Sequence, residues 1–95
     1  MAVAVEMNFR SVTIEQYDEI LGKMGLTPGG ATAPGAISHW AAKTDDGMRV
    51  VDVWETREAY DQHAAEEIGP YAAEAGITEP PETLFYDVHS YLTKA

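Results

Sequence analysis

A few histidine, acidic and aromatic side chains could do chemistry in this chain. His39, Asp52 and Trp54 lie in two stretches with strand-like alternation, AISHWAAK (residues 36–43) and MRVVDVW (residues 48–54). An imidazole changes its charge near neutral pH, and a neighbouring carboxylate can orient the ring and hold its proton. These residue types predict a proton-transfer site at His39 and Asp52, with Trp54 as a flat apolar wall for an aromatic molecule.

Four other residues are candidates for substrate binding: Asn8 and His89 as polar positioning groups, and the aromatic Phe85 and Tyr91. A structural role is the alternative for the central residues, because a histidine beside a carboxylate is commonly a hydrogen-bonded pair that only stabilises the fold. A tryptophan likewise commonly belongs to a core or an interface.

A metal site is the weakest interpretation of these residues. His39, Asp52 and His89 would supply two imidazoles and one carboxylate, but they come from different strands and no local spacing motif supports them. The chain has no cysteine, which excludes disulfides and thiolate ligands. We therefore predict no stoichiometric zinc, iron or haem and no other cofactor.

The composition indicates a single folded domain over residues 1–95, with 45% hydrophobic and 23% charged residues. Six Lys and Arg stand against 16 Asp and Glu, and the formal net charge of −10 repels phosphate backbones and anionic lipid. We therefore predict no nucleic-acid or membrane partner. No stretch resembles a membrane span or a signal peptide, so the expected location is the cytoplasm.

Local patterns predict the order β-α-β-β-α-β, the ferredoxin-like arrangement of an α+β protein with a four-stranded antiparallel sheet in the order 4-1-3-2. Thr13 and Gln16 fit a capping box, and Thr56 is placed to cap the second helix. Gly69-Pro70 is expected to break that helix, after which residues 71–75 can make another turn or two that Gly76 ends. The Gly- and Pro-rich loop LTPGGATAPG is expected to cover a pocket mouth. The predicted elements are strand 2–8, helix 14–24, loop 26–35, strands 36–43 and 48–54, helix 57–68 and strand 83–92.

The segment VWETREAY, residues 53–60, resembles the strand-to-helix junction of the dimeric α+β barrel superfamily, whose best-known branch is the antibiotic-biosynthesis monooxygenase-like proteins. The resemblance implies a homodimer that pairs two sheets face to face, with the helices outside and a pocket inside each sheet. It also implies a small-molecule ligand, aromatic or polyketide-like. The possible activities are cofactor-free monooxygenation, isomerisation or cyclisation. The alternative is a non-catalytic ligand-binding or interaction module.

The haem-degrading branch of the same superfamily fits poorly. Asn8 resembles that branch's asparagine, but His63 stands where the branch has a tryptophan. No histidine occurs around residues 72–75, where the haem ligand would be expected. Two of the three required residues are absent, which argues against haem degradation.

Alternation assigns side chains to the two faces of the predicted sheet. We expect the helix-packed face to carry Val3, Val5, Met7, Val51, Val53, Leu84, Val88 and Leu92. These would pack under the helix residues Tyr17, Ile20, Leu21, Met24, Tyr60 and Ile68, and His63 is expected at the border of the apolar face of the second helix, as a surface or structurally satisfied residue. The opposite face would form both the pocket and the dimer contact, and His89 would lie near Glu6 and Asn8. That face would carry Glu6, Asn8, Ile37, His39, Ala41, Val50, Asp52, Trp54, Phe85, Asp87, His89 and Tyr91.

Overall fold

The fold is a four-stranded antiparallel sheet with its helices on one side, as described by a computed structural model for residues 1–94. The strand order is β2-β3-β1-β4, so the predicted ferredoxin-like α+β architecture is confirmed. The elements are β1 (Val3–Arg10), α1 (Ile14–Lys23), β2 (Ala36–Lys43), β3 (Gly47–Trp54), α2 (Arg57–His63), a π-helical turn (Ala64–Ile68), α3 (Gly69–Glu74) and β4 (Glu82–Asp87).

Side-chain caps begin both long helical segments. At α1 the backbone N–H of Gln16 donates to Thr13 Oγ1 at 3.1 Å, and Thr13 N–H donates to Gln16 Oε1 at 3.0 Å. At α2 the backbone N–H of Ala59 donates to Thr56 Oγ1 at 3.1 Å. Each cap satisfies an amide that the first helical turn leaves without an intrahelical partner. Both caps were predicted from sequence and are confirmed.

The second helical segment continues past Gly69-Pro70, so the predicted break at this pair is wrong. A π-helical turn over Ala64–Ile68 joins α2 directly to α3, and the N–H of Gly69 donates to the carbonyl of Ala64, five residues back. Pro70 occupies the first turn of α3. A proline has no N–H and its ring collides with the carbonyl four residues earlier in a regular helix. The wider π-turn changes the hydrogen-bonding pattern just where Pro70 would disturb it.

The core lies between the helices and one face of the sheet. Strand pairing places Val5 opposite Asp52 and Met7 opposite Val50, and directly opposed residues share a face. The buried residues of the sheet are Val3, Val5, Met7, Met48, Val50, Asp52 and Trp54.

The face prediction was therefore right for β1 and wrong for β2 and β3, because His39 and Ala41 pair with Asp52 and Val50 and lie on the helix side with them. Val51 and Val53 pair with Glu6 and Ala4 and lie on the side away from the helices. Hydrophobicity could not distinguish the two phases of β3, because valines occupy both of them. Alternation predicts Asp52 on the side away from the helices with Val50 and Trp54, yet all three lie in the core, and the Asp52 carboxylate accepts from His39 and Trp54.

The sheet surface away from the helices, which we call the outer face, exposes large apolar side chains. Trp40 and Tyr86 are 50% and 51% exposed, and Leu84 is 38% exposed. Leu84 pairs with Glu6, so its predicted place in the helix-packed core is wrong as well. Val51 and Val53 lie between these residues.

Strand β4 ends at Asp87, five residues before its predicted end. Val88 and Leu92, predicted in the core, therefore lie beyond the sheet, and Leu92 is 98% exposed. Val88 donates its N–H to the carbonyl of Ala2 at 3.1 Å, while Asn8 pairs with Glu82 at the other end of β4. His89 thus follows the Ala2 end of β1, and the expectation that it would lie near Glu6 and Asn8 is wrong.

Candidate active site

A largely apolar cavity of about 360 Å³ lies between the sheet and the helices. Its volume is in the range of small-molecule sites. The loop predicted to cover a pocket mouth does line it, through residues 26–33. The sequence had placed the pocket on the opposite side of the sheet. That placement is wrong because the sequence did not show which side of β3 faces the helices. Lining residues from the sheet and helices include Met7, Tyr17, Ile20, His39, Val50, Asp52, Trp54, His63 and Ile68.

A chain of hydrogen bonds runs along one wall of this cavity. Nδ1 of His39 lies 2.5 Å from Oδ1 of Asp52, and Trp54 Nε1–H donates to Oδ2 of the same carboxylate at 3.2 Å. At the other edge of the imidazole, His39 Nε2 lies 2.6 Å from the hydroxyl oxygen of Tyr17, on α1. Three separate elements therefore contribute to one network, which we call the Tyr17–His39–Asp52 relay.

The partners in this relay determine where its protons lie. An ionised carboxylate can only accept, so His39 Nδ1 carries a hydrogen directed at Asp52. In the neutral ring Nε2 is then an acceptor, and the hydroxyl of Tyr17 donates to it. The Asp52 side chain is 6% exposed and that of His39 is 30% exposed. The buried carboxylate therefore fixes the tautomer of a histidine that a molecule in the cavity can approach.

Tyr17 is kept in its protonated form by its surroundings. Burial raises the pKa of its hydroxyl above the ordinary 10.0, and the charges of Asp52 and Asp18 raise it further. Burial also raises the pKa of Tyr60, with smaller effects from Asp52 and Asp61 in the same direction and from Arg57 in the opposite one. At neutral pH both side chains are phenols, so Tyr17 can pass on a proton only by receiving one in exchange.

His63 is a second imidazole at the cavity. Its ring centroid lies 5.0 Å from that of Trp54, and its Nδ1 lies 3.3 Å from Oε2 of Glu67, one helical turn further on. Sequence reasoning had placed His63 at the border of the apolar helix face, as a surface or structurally satisfied residue. It had also left Tyr17 among the core residues of α1. A hydroxyl on an apolar helix face was the available signal, because a buried tyrosine generally needs a hydrogen-bond partner.

The structure brings together only part of the predicted set. His39, Asp52 and Trp54 line the cavity, as does Tyr17. Phe85 pairs with Val5 and so faces the helices, but it packs outside the cavity. Its ring centroid lies 5.5 Å from that of Tyr60, and the guanidinium carbon of Arg57 lies 3.5 Å from the Phe85 ring centroid.

The other three predicted binding residues lie away from the cavity. Asn8 is on the outer face, where its amide donates to Glu6 at 2.9 Å and accepts from Arg49 at 2.8 Å. His89 and Tyr91 follow β4 and border a separate shallow depression near Ala2.

Within residues 1–94, no three His, Asp or Glu side chains converge in a way that could hold a metal ion. His39 and Asp52 do meet, but His89 does not join them. No helix among the same residues has the length and apolar character needed to cross a membrane.

The fold is shared with several solved structures. The chain is similar to Rv0793 from Mycobacterium tuberculosis, with 22% identity and a TM-score of 0.66 over 98% of this chain and 100% of that one. It is similar to SnoaB, a cofactor-independent oxygenase from Streptomyces nogalater, with 14% identity and a TM-score of 0.62 over 98% and 97%. A monooxygenase from the gene ActVA-Orf6 of Streptomyces coelicolor, in complex with nanaomycin D, matches with 23% identity and a TM-score of 0.55 over 99% and 92%.

No model of a known protein family matches the chain, and neither does any curated protein sequence. Two of these neighbours, SnoaB and the ActVA-Orf6 protein, are named as oxygenases, and the resemblance seen in residues 53–60 is confirmed at the level of the fold. The sequence identities to these three structures are 14–23%, which shows that the fold is shared but does not assign site residues to this chain.

Proposed function

We propose that this protein is a cofactor-independent monooxygenase that binds a small phenolic aromatic compound in the cavity and removes the proton of its hydroxyl group. The observation that carries the proposal is the Tyr17–His39–Asp52 relay on the wall of an apolar cavity. An apolar chamber with a few convergent polar groups is typical of small-molecule sites. The structural likeness to SnoaB and to the ActVA-Orf6 monooxygenase supports oxygenation as the reaction.

The relay can take a proton in two linked transfers. The substrate hydroxyl donates its proton to the oxygen of Tyr17, while Tyr17 passes its own proton to Nε2 of His39. The bond broken in the substrate is O–H, and the electron pair stays on the substrate oxygen as a phenolate. His39 becomes an imidazolium, whose charge the ionised Asp52 stabilises through Nδ1. Because the pKa of Tyr17 is raised, the tyrosine is a neutral phenol before and after the transfer.

The phenolate would then react with dioxygen, which is the second substrate. A phenolate is electron-rich and can give one electron to dioxygen, leaving a phenoxyl radical and superoxide that combine at a ring carbon bearing a hydrogen. The peroxide so formed takes back the proton held by His39. The hydroperoxide then loses water, with the hydrogen of that carbon, so that one oxygen atom stays as a carbonyl and the other leaves in the water. Trp54 borders the cavity but is only 1% exposed, so it supports the wall from behind, and apolar side chains such as Met7, Ile20 and Val50 contact the ring instead. The side chains of the cavity bind, orient and deprotonate the substrate, and the substrate supplies the electron.

A ligand-binding protein without catalysis is the second candidate. It is favoured by one observation, namely that every polar member of the relay already has a partner within the protein. Such a network can be purely structural. The two candidates differ in turnover and agree on binding.

We also propose that residues 1–95 form a single domain that dimerises through its outer face. Trp40, Leu84 and Tyr86 expose apolar surface there, and a chain of this size gains stability by burying such surface against a second copy. This surface replaces the predicted dimer contact, whose residues Val50 and Trp54 are buried within the subunit.

The test of the catalytic proposal measures binding and oxygen consumption separately. The intact protein is titrated with 1-naphthol by calorimetry, and an oxygen electrode follows turnover of the same compound and of more easily oxidised naphthalenediols. Tyr17→Phe and His39→Gln should reduce turnover about 10²- to 10⁴-fold, the typical contribution of a positioned proton acceptor. Tyr91→Phe, at an exposed tyrosine outside the cavity, is the matched control and should change nothing.

Two results would contradict the proposal. Binding without oxygen consumption by any of these phenols would leave the ligand-binding alternative in place. Turnover that survives both Tyr17→Phe and His39→Gln would show that the relay does not accept the proton.

A further inference from the structure

We infer that His63 is a second binding residue of the cavity, which contacts a second oxygen substituent of the substrate. This inference rests on the function proposed above and narrows the substrate to aromatic compounds with two oxygen substituents. One of them would be the hydroxyl group received by Tyr17. The other would lie on a different edge of the ring system, at His63.

The position of His63 separates it from the relay. It is the last residue of α2, its side chain is 12% exposed, and it lines the cavity. Its ring packs against Trp54 at 5.0 Å between centroids, whereas the indole N–H of Trp54 is directed at Asp52. The indole of Trp54 therefore contacts both imidazole–carboxylate pairs, His39–Asp52 through its N–H and His63–Glu67 through its ring. Both histidines line the cavity and the buried indole lies between them, so a ligand in the cavity would have an imidazole at two different edges.

The second pair resembles the first but is looser, because its nitrogen and oxygen are in ion-pair contact without hydrogen-bond geometry. Oε2 of Glu67 lies 3.3 Å from Nδ1 of His63, which favours a proton on that nitrogen. Nε2 is then an acceptor in the neutral ring. It takes part in no hydrogen bond within residues 1–94, and no buried polar side-chain atom of that range lacks a partner. Nε2 is therefore accessible, unlike its counterpart in His39, which Tyr17 occupies.

The surrounding wall leaves a second oxygen substituent few other partners. Beside the relay, Trp54 and His63, the polar side chains at the cavity are Thr27 and Thr32 of the loop, and Thr32 already donates to the carbonyl of Ala36. The rest of the lining is mainly aliphatic side chains and methionines, among them Met7, Ile20, Val50 and Ile68. An oxygen substituent that lost its water on entry without gaining a hydrogen bond would weaken binding. His63 is thus a specificity-determining residue, because its Nε2 can accept a hydrogen bond from a hydroxyl group at its end of the cavity and so strengthen binding.

The test compares naphthols that differ by one hydroxyl group. Calorimetry under anaerobic conditions gives Kd for 1-naphthol and 2-naphthol and for their 1,3-, 1,5-, 2,6- and 2,7-dihydroxy counterparts. At least one diol should bind about tenfold more tightly than its parent naphthol, equivalent to about 1.4 kcal/mol. His63→Leu should remove that advantage and leave the Kd of the parent within about twofold. His63→Gln keeps a polar group and should retain part of the advantage. His89→Leu, a histidine outside the cavity, is the matched control.

The outcomes separate this inference from the function on which it rests. If the parent naphthols bind and Tyr17→Phe weakens them, but no diol is favoured or His63→Leu leaves the advantage intact, the assignment of His63 is wrong and the proposed function stands. If His63→Leu weakens the binding of the parent naphthol and of the diol equally, His63 only shapes the cavity and does not contact an oxygen substituent, and the inference is again overturned. If neither naphthols nor diols bind, the proposed function fails and this inference fails with it.

Discussion

Replacing Asp52 by asparagine removes a charge while keeping the shape of the side chain, and it should reverse the hydrogen bonds of the relay. Asp52 accepts from two donors, Nδ1–H of His39 and Nε1–H of Trp54. An asparagine presents one carbonyl oxygen and one NH₂ group. Whichever way the amide is turned, one of the two donors faces another donor. Trp54 has no alternative tautomer, so it should keep the carbonyl oxygen, and His39 should face the NH₂ group.

His39 can resolve this conflict only by moving its proton. With Nδ1 as acceptor, Nε2 carries the hydrogen and donates to Tyr17, so the direction of the whole relay is reversed. In the reversed form the histidine can no longer accept a proton from Tyr17. If the proton does not move, a buried donor stays without a partner at a cost of about 1–3 kcal/mol. In a domain of this length, each kcal/mol lowers Tm by about 4–8 °C.

Two measurements check this prediction for Asp52→Asn. Nitrogen-15 chemical shifts of the His39 ring report which nitrogen is protonated, and thermal unfolding reports stability. We expect the proton on Nε2 in the variant and turnover of any substrate reduced about as far as by His39→Gln. A proton that stays on Nδ1 should instead lower Tm by about 4 °C or more. Asp87→Asn, at an exposed carboxylate on β4, is the control and should leave all three unchanged. An unchanged His39 tautomer together with an unchanged Tm would refute the hydrogen-bond assignment at Asp52.

Three other predictions concern the fold and its assembly. Gly47→Ala should destabilise the protein by about 1–3 kcal/mol or more in chemical denaturation, because the new Cβ would lie 1.8 Å from the carbonyl oxygen of Phe9 in β1. Gly22→Ala has free space and should stabilise α1 by about 0.5–1 kcal/mol. Equal effects of the two substitutions would contradict the packing at Gly47. Folding raises the pKa of Tyr17 and Tyr60 above 10.0, the ordinary value that both have in the unfolded chain. Their contribution to stability is therefore complete below pH 10.0, and the free energy of unfolding should fall as the pH rises above that value. Replacing both tyrosines by phenylalanine should flatten this decline, and a decline of unchanged steepness would contradict the raised pKa values. Trp40→Glu should convert a dimer into a folded monomer in light scattering with unchanged circular dichroism, and a monomeric parent protein would remove the proposed dimer.

The sequence was informative wherever the determining interaction is local. Thr13 with Gln16 and Thr56 with Ala59 satisfy amides within one helical turn, so their caps could be predicted. The pairing of His39 with Asp52 could be predicted from the short connection between β2 and β3, which sets their relative phase. The strand order could be predicted from the order of the elements, because the ferredoxin-like arrangement has one characteristic topology.

The sequence was uninformative where the choice depends on another element. Valines on both sides of β3 left its buried face undetermined, and the packing of the helices decides it. Tyr17 and His63 enter the cavity from α1 and α2, and no spacing rule connects them with residues 39 and 52. The end of β4 depends on the length of β1, because its last pair joins Asp87 to Val3.

The π-turn at Ala64–Ile68 has a consequence for how this chain can change over time. Such a turn holds one residue more than regular helical geometry requires, so deleting Ala65 alone would restore an ordinary helix without rotating the segments on either side. That ordinary helix would set the ring of Pro70 against the carbonyl of Glu66, a conflict of about 3 kcal/mol. The deletion is therefore tolerable only when the proline is lost as well, whereas the proline can be lost first without conflict. Chains of this fold that carry Pro70 should also carry the π-turn, and a chain that carries Pro70 alone should be a rare evolutionary intermediate.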